Sequence, residues 1–69
     1  MNIKWIDGFV ISVNYDDGIV TISANKEGLF SLADQLVSLA KEESKAHIHY
    51  DEYNSLEEGS KELIIEKIQ

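Results

Sequence analysis

The stretch Ile19-Val20-Thr21-Ile22-Ser23-Ala24-Asn25-Lys26-Glu27-Gly28-Leu29-Phe30-Ser31-Leu32-Ala33 changes period halfway along. Up to Ala24 it is dominated by β-branched residues (Ile19, Val20, Thr21 and Ile22), the composition of a strand. From Asn25 onward Leu29, Leu32, Ala33, Leu36, Leu39 and Ala40 recur at spacings of three and four, which is one apolar stripe of an amphipathic helix. Asn25 is a good N-cap, because its side-chain oxygen can accept from the free amides of the first turn, and Glu27 sets negative charge near the positive end of the helix. Phe30 and Val37 flank the stripe. Lys26, Asp34, Lys41 and Glu42 form the polar face, and Lys41-Glu42-Glu43-Ser44-Lys45 is a solvated exit, so the helix is predicted to end near Glu43.

Working outward, Asn14-Tyr15-Asp16-Asp17-Gly18 is a turn cluster whose Asp17-Gly18 pair is a strong hairpin signal. Before it, Ile3 to Val13 is rich in Ile, Val, Trp and Phe and reads as a strand, interrupted at Gly8 by a bulge, a bend or a break into two. Beyond the helix, Ala46 to Asp51 is a short third strand and Glu52 to Ser60 an irregular loop, with Asn54-Ser55 and Gly59-Ser60 as turn chemistry and Leu56 as the residue that docks it on the core. Leu63 to Ile68 is the last strand, flanked by Lys61, Glu62, Glu66 and Lys67, charges that discourage edge-to-edge aggregation. The predicted order is β-β-α-β-β, an α+β fold in which an antiparallel sheet of about four strands carries one amphipathic helix on one face.

At 69 residues the chain is predicted to be a single domain. A domain of this size buries only about 60% of its unfolded surface, and small scaffolds usually recruit a staple. With no cysteine, disulfides and thiolate metal sites are excluded, leaving a metal at the histidines or burial against another chain. The strands supply apolar residues for two faces. Trp5, Phe9, Ile11 and Val13 oppose Ile6 and Val10; Val20 and Ile22 oppose Ile19; Leu63 and Ile65 oppose Ile64 and Ile68. One helix covers one face, so the other is predicted to be an interface, with a homodimer or a partner protein as the candidates.

Thirteen acidic residues against six lysines, a formal charge of −7, argue against nucleic acid, whose phosphates demand a basic footprint, and against anionic membranes. The N-terminus Met1-Asn2-Ile3-Lys4-Trp5-Ile6-Asp7 lacks the apolar core of a signal peptide, and no apolar run spans a bilayer; the expected location is the cytoplasm.

Both histidines lie in His47-Ile48-His49-Tyr50-Asp51. On a strand, side chains alternate, so His47, His49 and Asp51 would share one side. Histidines at i and i+2 with a carboxylate can share a metal, and Glu52 and Glu57 are near in sequence. No second cluster completes the ligand set, so no metal and no cofactor are expected. Enzyme activity is not expected either: Ser12, Ser31, Ser38 and Ser60 lack a nucleophile-elbow setting, and Gly8, Gly18, Gly28 and Gly59 are scattered rather than gathered into a phosphate loop. Trp5 reads as core. Tyr50 and Tyr53, with Asp51, Glu52, Glu57 and Glu58, make an acidic, aromatic-bearing segment suited to a basic site on another protein.

Three blocks carry a family resemblance: Ala24-Asn25-Lys26-Glu27-Gly28-Leu29-Phe30-Ser31-Leu32-Ala33 continuing through Leu36 and Leu39-Ala40; His47-Ile48-His49-Tyr50-Asp51; and Leu56-Glu57-Glu58-Gly59-Ser60-Lys61-Glu62-Leu63-Ile64-Ile65-Glu66. In this order they resemble the immunity protein 32 family. The resemblance implies a small α+β bacterial immunity protein of a polymorphic toxin system, which protects the producing cell by binding a cognate toxin. It brings no catalytic residues. The predicted contact surface is His47, His49, Tyr50, Asp51, Tyr53, Glu57 and Glu58, facing a toxin with a basic surface.

Overall fold

The Asp17-Gly18 turn has φ of 51° and 79°, the two positive values that define a type I′ hairpin and that match the twist of the strands it joins. The structure, a computed structural model, describes residues 1–69. The turn closes β1 (Ile11–Asp16) onto β2 (Ile19–Ala24), antiparallel and in register from Asp16↔Ile19 to Ile11↔Ala24. Helix α1 follows at Lys26–Ala40, then β3 (His47–Tyr50) and β4 (Leu63–Glu66), which pair antiparallel from His47↔Glu66 to Tyr50↔Leu63. The α+β class and the β-β-α-β-β order are those predicted.

The four strands form two two-stranded sheets, β1-β2 and β3-β4, rather than one continuous ladder. What separates them is the irregular segment ahead of β4, which lies along the free edge of β1. Glu57 N–H donates to the Ile11 carbonyl (2.9 Å), Lys61 N–H donates to the Val13 carbonyl (2.8 Å), and Val13 N–H donates to Ser60 Oγ (3.2 Å). These bonds satisfy an edge that would otherwise be open to strand pairing.

The segment before β1 is not the predicted strand. Residues up to Val10 form an arm that bends at Asp7-Gly8, where Phe9 N–H donates to the Ile6 carbonyl (3.1 Å) and Gly8 takes φ 85°, the turn geometry that glycine adopts without strain. The arm is tied to α1 by the helix's own polar side chains. Asn25 caps the helix by accepting from Gly28 N–H (2.8 Å), and its amide also grips the arm, accepting from Val10 N–H (3.0 Å) and donating to the Gly8 carbonyl (2.9 Å). Ser31 Oγ accepts from Ile6 N–H (2.9 Å), and Gln35 Nε2 donates to the Lys4 carbonyl (2.8 Å).

Those bonds turn the helix by roughly a quarter of a turn from its predicted orientation. The buried residues of α1 are Gly28, Ser31, Gln35 and Leu39. Of the predicted apolar stripe only Leu39 is buried and Leu32 half-buried, whereas Leu29 and Leu36 are 56% and 45% exposed. The arm presents backbone amides and carbonyls to the helix, and buried polar groups must be paired. A face with Ser31 and Gln35 pairs them; a leucine stripe would leave them orphaned. Gly28 also allows the close approach, since a Cβ there would lie 2.7 Å from the Val10 carbonyl oxygen and 2.8 Å from Ile11 Cγ1.

The core is Ile11, Val13, Leu39, Ile48, Tyr50 and Leu56, with Trp5, Phe9, Leu32, Leu63 and Ile65 packed against it. Leu56 docks the 52–60 loop as expected. The C-terminal end of α1 has no basic residue in its last turn; instead Lys67 Nζ reaches back from beyond β4 to the carbonyls of Ala40 (2.8 Å) and Glu42 (2.6 Å), supplying from afar the positive charge that helix ends favour.

Candidate functional site

Alternation along β3 sets the geometry of the histidine strand. Ile48 and Tyr50 point inward, and His47 and His49 point out. The two rings sit 5.0 Å apart at 64°. Across the β3-β4 ladder, His47 faces Glu66 and His49 faces Ile64, and His49 Nδ1 lies 3.5 Å from Glu62 Oε2. His47 Nδ1 is 3.2 Å from the Lys45 carbonyl. Nowhere do three or more His, Asp or Glu side chains gather as a metal would require.

Tyr50, a predicted contact residue, is instead inside the molecule and fully buried. Its ring meets Trp5 edge-on, with centroids 6.2 Å apart, and Trp5 in turn stacks on Phe9 at 4.4 Å. Its hydroxyl donates to Gln35 Oε1 (2.7 Å). Burial raises its pKa above the ordinary 10.0 by desolvating the phenolate. The same alternation that turns both histidines outward turns Tyr50 inward, so it anchors the strand from below and leaves the exposed surface to its neighbours.

Asp51 is spent on the loop that follows. Its Oδ1 accepts from Tyr53 N–H (2.9 Å) and Asn54 N–H (3.0 Å), and its carbonyl accepts from Ser55 N–H (3.0 Å) and Leu56 N–H (2.8 Å). Asn54 reciprocates, accepting from Asp51 N–H (3.1 Å) and donating to the His49 carbonyl (3.1 Å). Short polar side chains that bond the backbone two or three residues on are the chemistry of tight turns. Farther along, Gly59 N–H donates to Glu52 Oε2 (2.8 Å). The loop is therefore held by its own side chains, and Leu56 pins it to the core.

That fixed loop carries Tyr53, 92% exposed, the most open of the large apolar and aromatic side chains. Glu52, Tyr53 and Glu58 line one shallow hollow, and Glu57 is exposed beside them. The structure thus brings Tyr53 together with Glu58 and His47 together with His49, and removes Tyr50. Three residues that sequence reading leaves out of the contact set join its two parts: Glu52 at the hollow, and Glu62 and Ile64 beside His49. The signal for the latter pair is the period-2 pattern of β4, which places both on the same outward face once the register with β3 is known.

The model of the immunity protein 32 family matches residues 19–68, from β2 to the chain's end segment. The chain belongs to the immunity protein 32 family. No curated protein and no solved structure matches it. Membership gives the chain a role in immunity to a toxin, with a toxin as its partner, and proteins of this kind are in general not catalysts. The match covers the hairpin's second strand, the helix, the histidine strand and the loop, the parts that build the exposed site. No helix is long and apolar enough to cross a membrane.

Proposed function

We propose that this immunity protein neutralises a cognate bacterial toxin by direct, non-catalytic binding in the cytoplasm, with residues 1–69 folded as one domain. The contact surface is the 51–58 loop with the outward side of β3-β4: Tyr53, Glu52, Glu57 and Glu58, with His47, His49 and Glu62 at its margin. The observation that carries this reading is Tyr53, an aromatic left 92% exposed on a loop that is itself held by hydrogen bonds. Tyrosine is a favoured interface anchor because its ring is apolar and its hydroxyl polar. Holding the loop in advance lowers the ordering cost of association.

Charge supports the same assignment. Two glutamates, Glu52 and Glu58, share the hollow with Tyr53, and Glu57 is exposed next to Glu58 in the chain, on a molecule of net charge −7. A surface of this sign accelerates encounter with a basic toxin site and disfavours nucleic acid and anionic lipid. Inhibition by occlusion needs complementarity and no reacting group. Co-expression with a candidate toxin from the neighbouring gene tests the proposal: rescue of growth together with a complex in a pull-down is expected, and unchanged toxicity with no complex rejects that pairing.

A further inference from the structure

The outward face of α1 is the larger anomaly of the molecule. At about 100° per residue, Leu29, Phe30, Ala33, Leu36, Val37 and Ala40 fall on one arc roughly 120° wide, opposite the buried Gly28, Ser31 and Gln35. Leu29, Phe30 and Val37 are each 56% exposed and Leu36 45%. They recur in sevens: Leu29 with Leu36, Phe30 with Val37, Ala33 with Ala40. That is the period of a helix that packs along another helix, with alanines where two backbones approach. We propose that this face is covered by the same face of a second copy of the chain, as an antiparallel helix pair.

Three observations select a second copy. The accessible surface, 4962 Å² for 7.8 kDa, exceeds by about 600 Å² the roughly 4,400 Å² that a folded monomer of this mass exposes. That excess approaches the ~800 Å² that each partner buries in a standard stable interface. Apart from Lys26, which opens the Ala33–Ala40 row at the N-terminal end of the helix, the seam carries no charge, so the net charge of −7 does not oppose its closure. Along one margin Glu27, Asp34 and Lys41 also recur in sevens. In an antiparallel pair related by a two-fold axis near Asp34, Glu27 of each copy lies level with Lys41 of the other, so the margin is self-complementary except where Asp34 meets Asp34. An apolar face this wide must be covered whenever the chain exists, and the component always present in equal amount is the chain itself.

Sedimentation equilibrium of the full chain decides it. The expected mass is twice 7.8 kDa. Leu36→Glu is expected to weaken self-association by more than about tenfold with an unchanged circular dichroism spectrum, because the position is outside the core. Asp34→Asn should strengthen it by about twofold and Lys41→Glu should weaken it. Ile19→Lys, near the far end of the hairpin, should leave it intact. A single-chain mass at millimolar concentration overturns the proposal. So does a dimer indifferent to Leu36→Glu, or one lost in Ile19→Lys, which would move the interface to β2. None of these readouts involves the toxin, so dimer and toxin surface fail or stand separately.

Discussion

The two exposed surfaces of this immunity protein differ in chemistry and in how they are built. The outer face of α1 is apolar and regular, charged only at Lys26 in its first turn, and its residues come from one helix. The loop surface is acidic, carries one free tyrosine and is assembled from Asp51, Asn54 and Glu52 bonding the backbone around them. The first suits permanent burial against a like surface; the second tolerates water and waits for a partner of opposite charge. A chain of 69 residues can keep two such surfaces apart because its helix uses polar side chains to hold the arm and leaves Leu29, Phe30, Leu36 and Val37 outside.

That division can be broken from below. Gly28→Val places side-chain atoms where a Cβ alone already lies 2.7 Å from the Val10 carbonyl. Overpacking plus lost arm bonds is expected to cost about 3 kcal/mol or more, close to the stability of so small a domain, and both surfaces should be lost together. Thermal melts would show it; a Gly28→Val protein that melts like the parent contradicts the close approach.

Next in size is Tyr50→Phe, which leaves Gln35 Oε1 without its donor at a fully buried site and should cost about 1–3 kcal/mol in chemical denaturation. It also tests the pKa. Tyr50 is raised above 10.0 in the folded state, so its contribution is complete below pH 10.0, the unfolded value, and is lost as pH rises through the folded value. The parent should lose stability on that alkaline side, and the Tyr50→Phe protein should lose less.

Smaller still is Lys67→Met, which removes the distant cap from the Ala40 and Glu42 carbonyls and should cost about 1 kcal/mol. Smallest are Glu57→Lys and Glu58→Lys, both at exposed positions and expected within about 0.5 kcal/mol of parental stability. They sharpen the comparison because their effect should fall on toxin association alone, as a slower on-rate and a weaker dependence on salt. A stability loss as large as that of Tyr50→Phe would mean the glutamates serve the loop and not a partner.

Much of the fold was legible because its signals are local. The Asp17-Gly18 turn, the bounds of β2 at Ile19–Ala24 and the Asn25 cap each depend on residues within a few positions of one another. The orientation of α1 was not legible. It is set by Ser31 bonding Ile6 and Gln35 bonding Lys4, 25 and 31 residues away, and hydropathy counts a hydrogen-bonded serine or glutamine as solvent-facing. The splitting of the sheet is equally non-local, since it depends on Glu57 and Lys61 reaching β1. At the site, the outward histidines and the docking of Leu56 followed from alternation and hydropathy. The burial of Tyr50 followed from the same alternation, but its hydroxyl made it look like a surface anchor, and its partner Gln35 lies on an element where sequence offered no reason to expect a buried acceptor.

Whether the loop surface binds the toxin is read most directly by titration calorimetry of a candidate toxin from the neighbouring gene with the parent and with a Tyr53→Ala, Glu57→Lys, Glu58→Lys triple variant. Saturable binding by the parent that weakens with added salt is expected, together with at least about a hundredfold weaker binding by a triple variant that melts like the parent. Equal affinity for the two proteins would contradict the assignment and place the toxin elsewhere on the molecule.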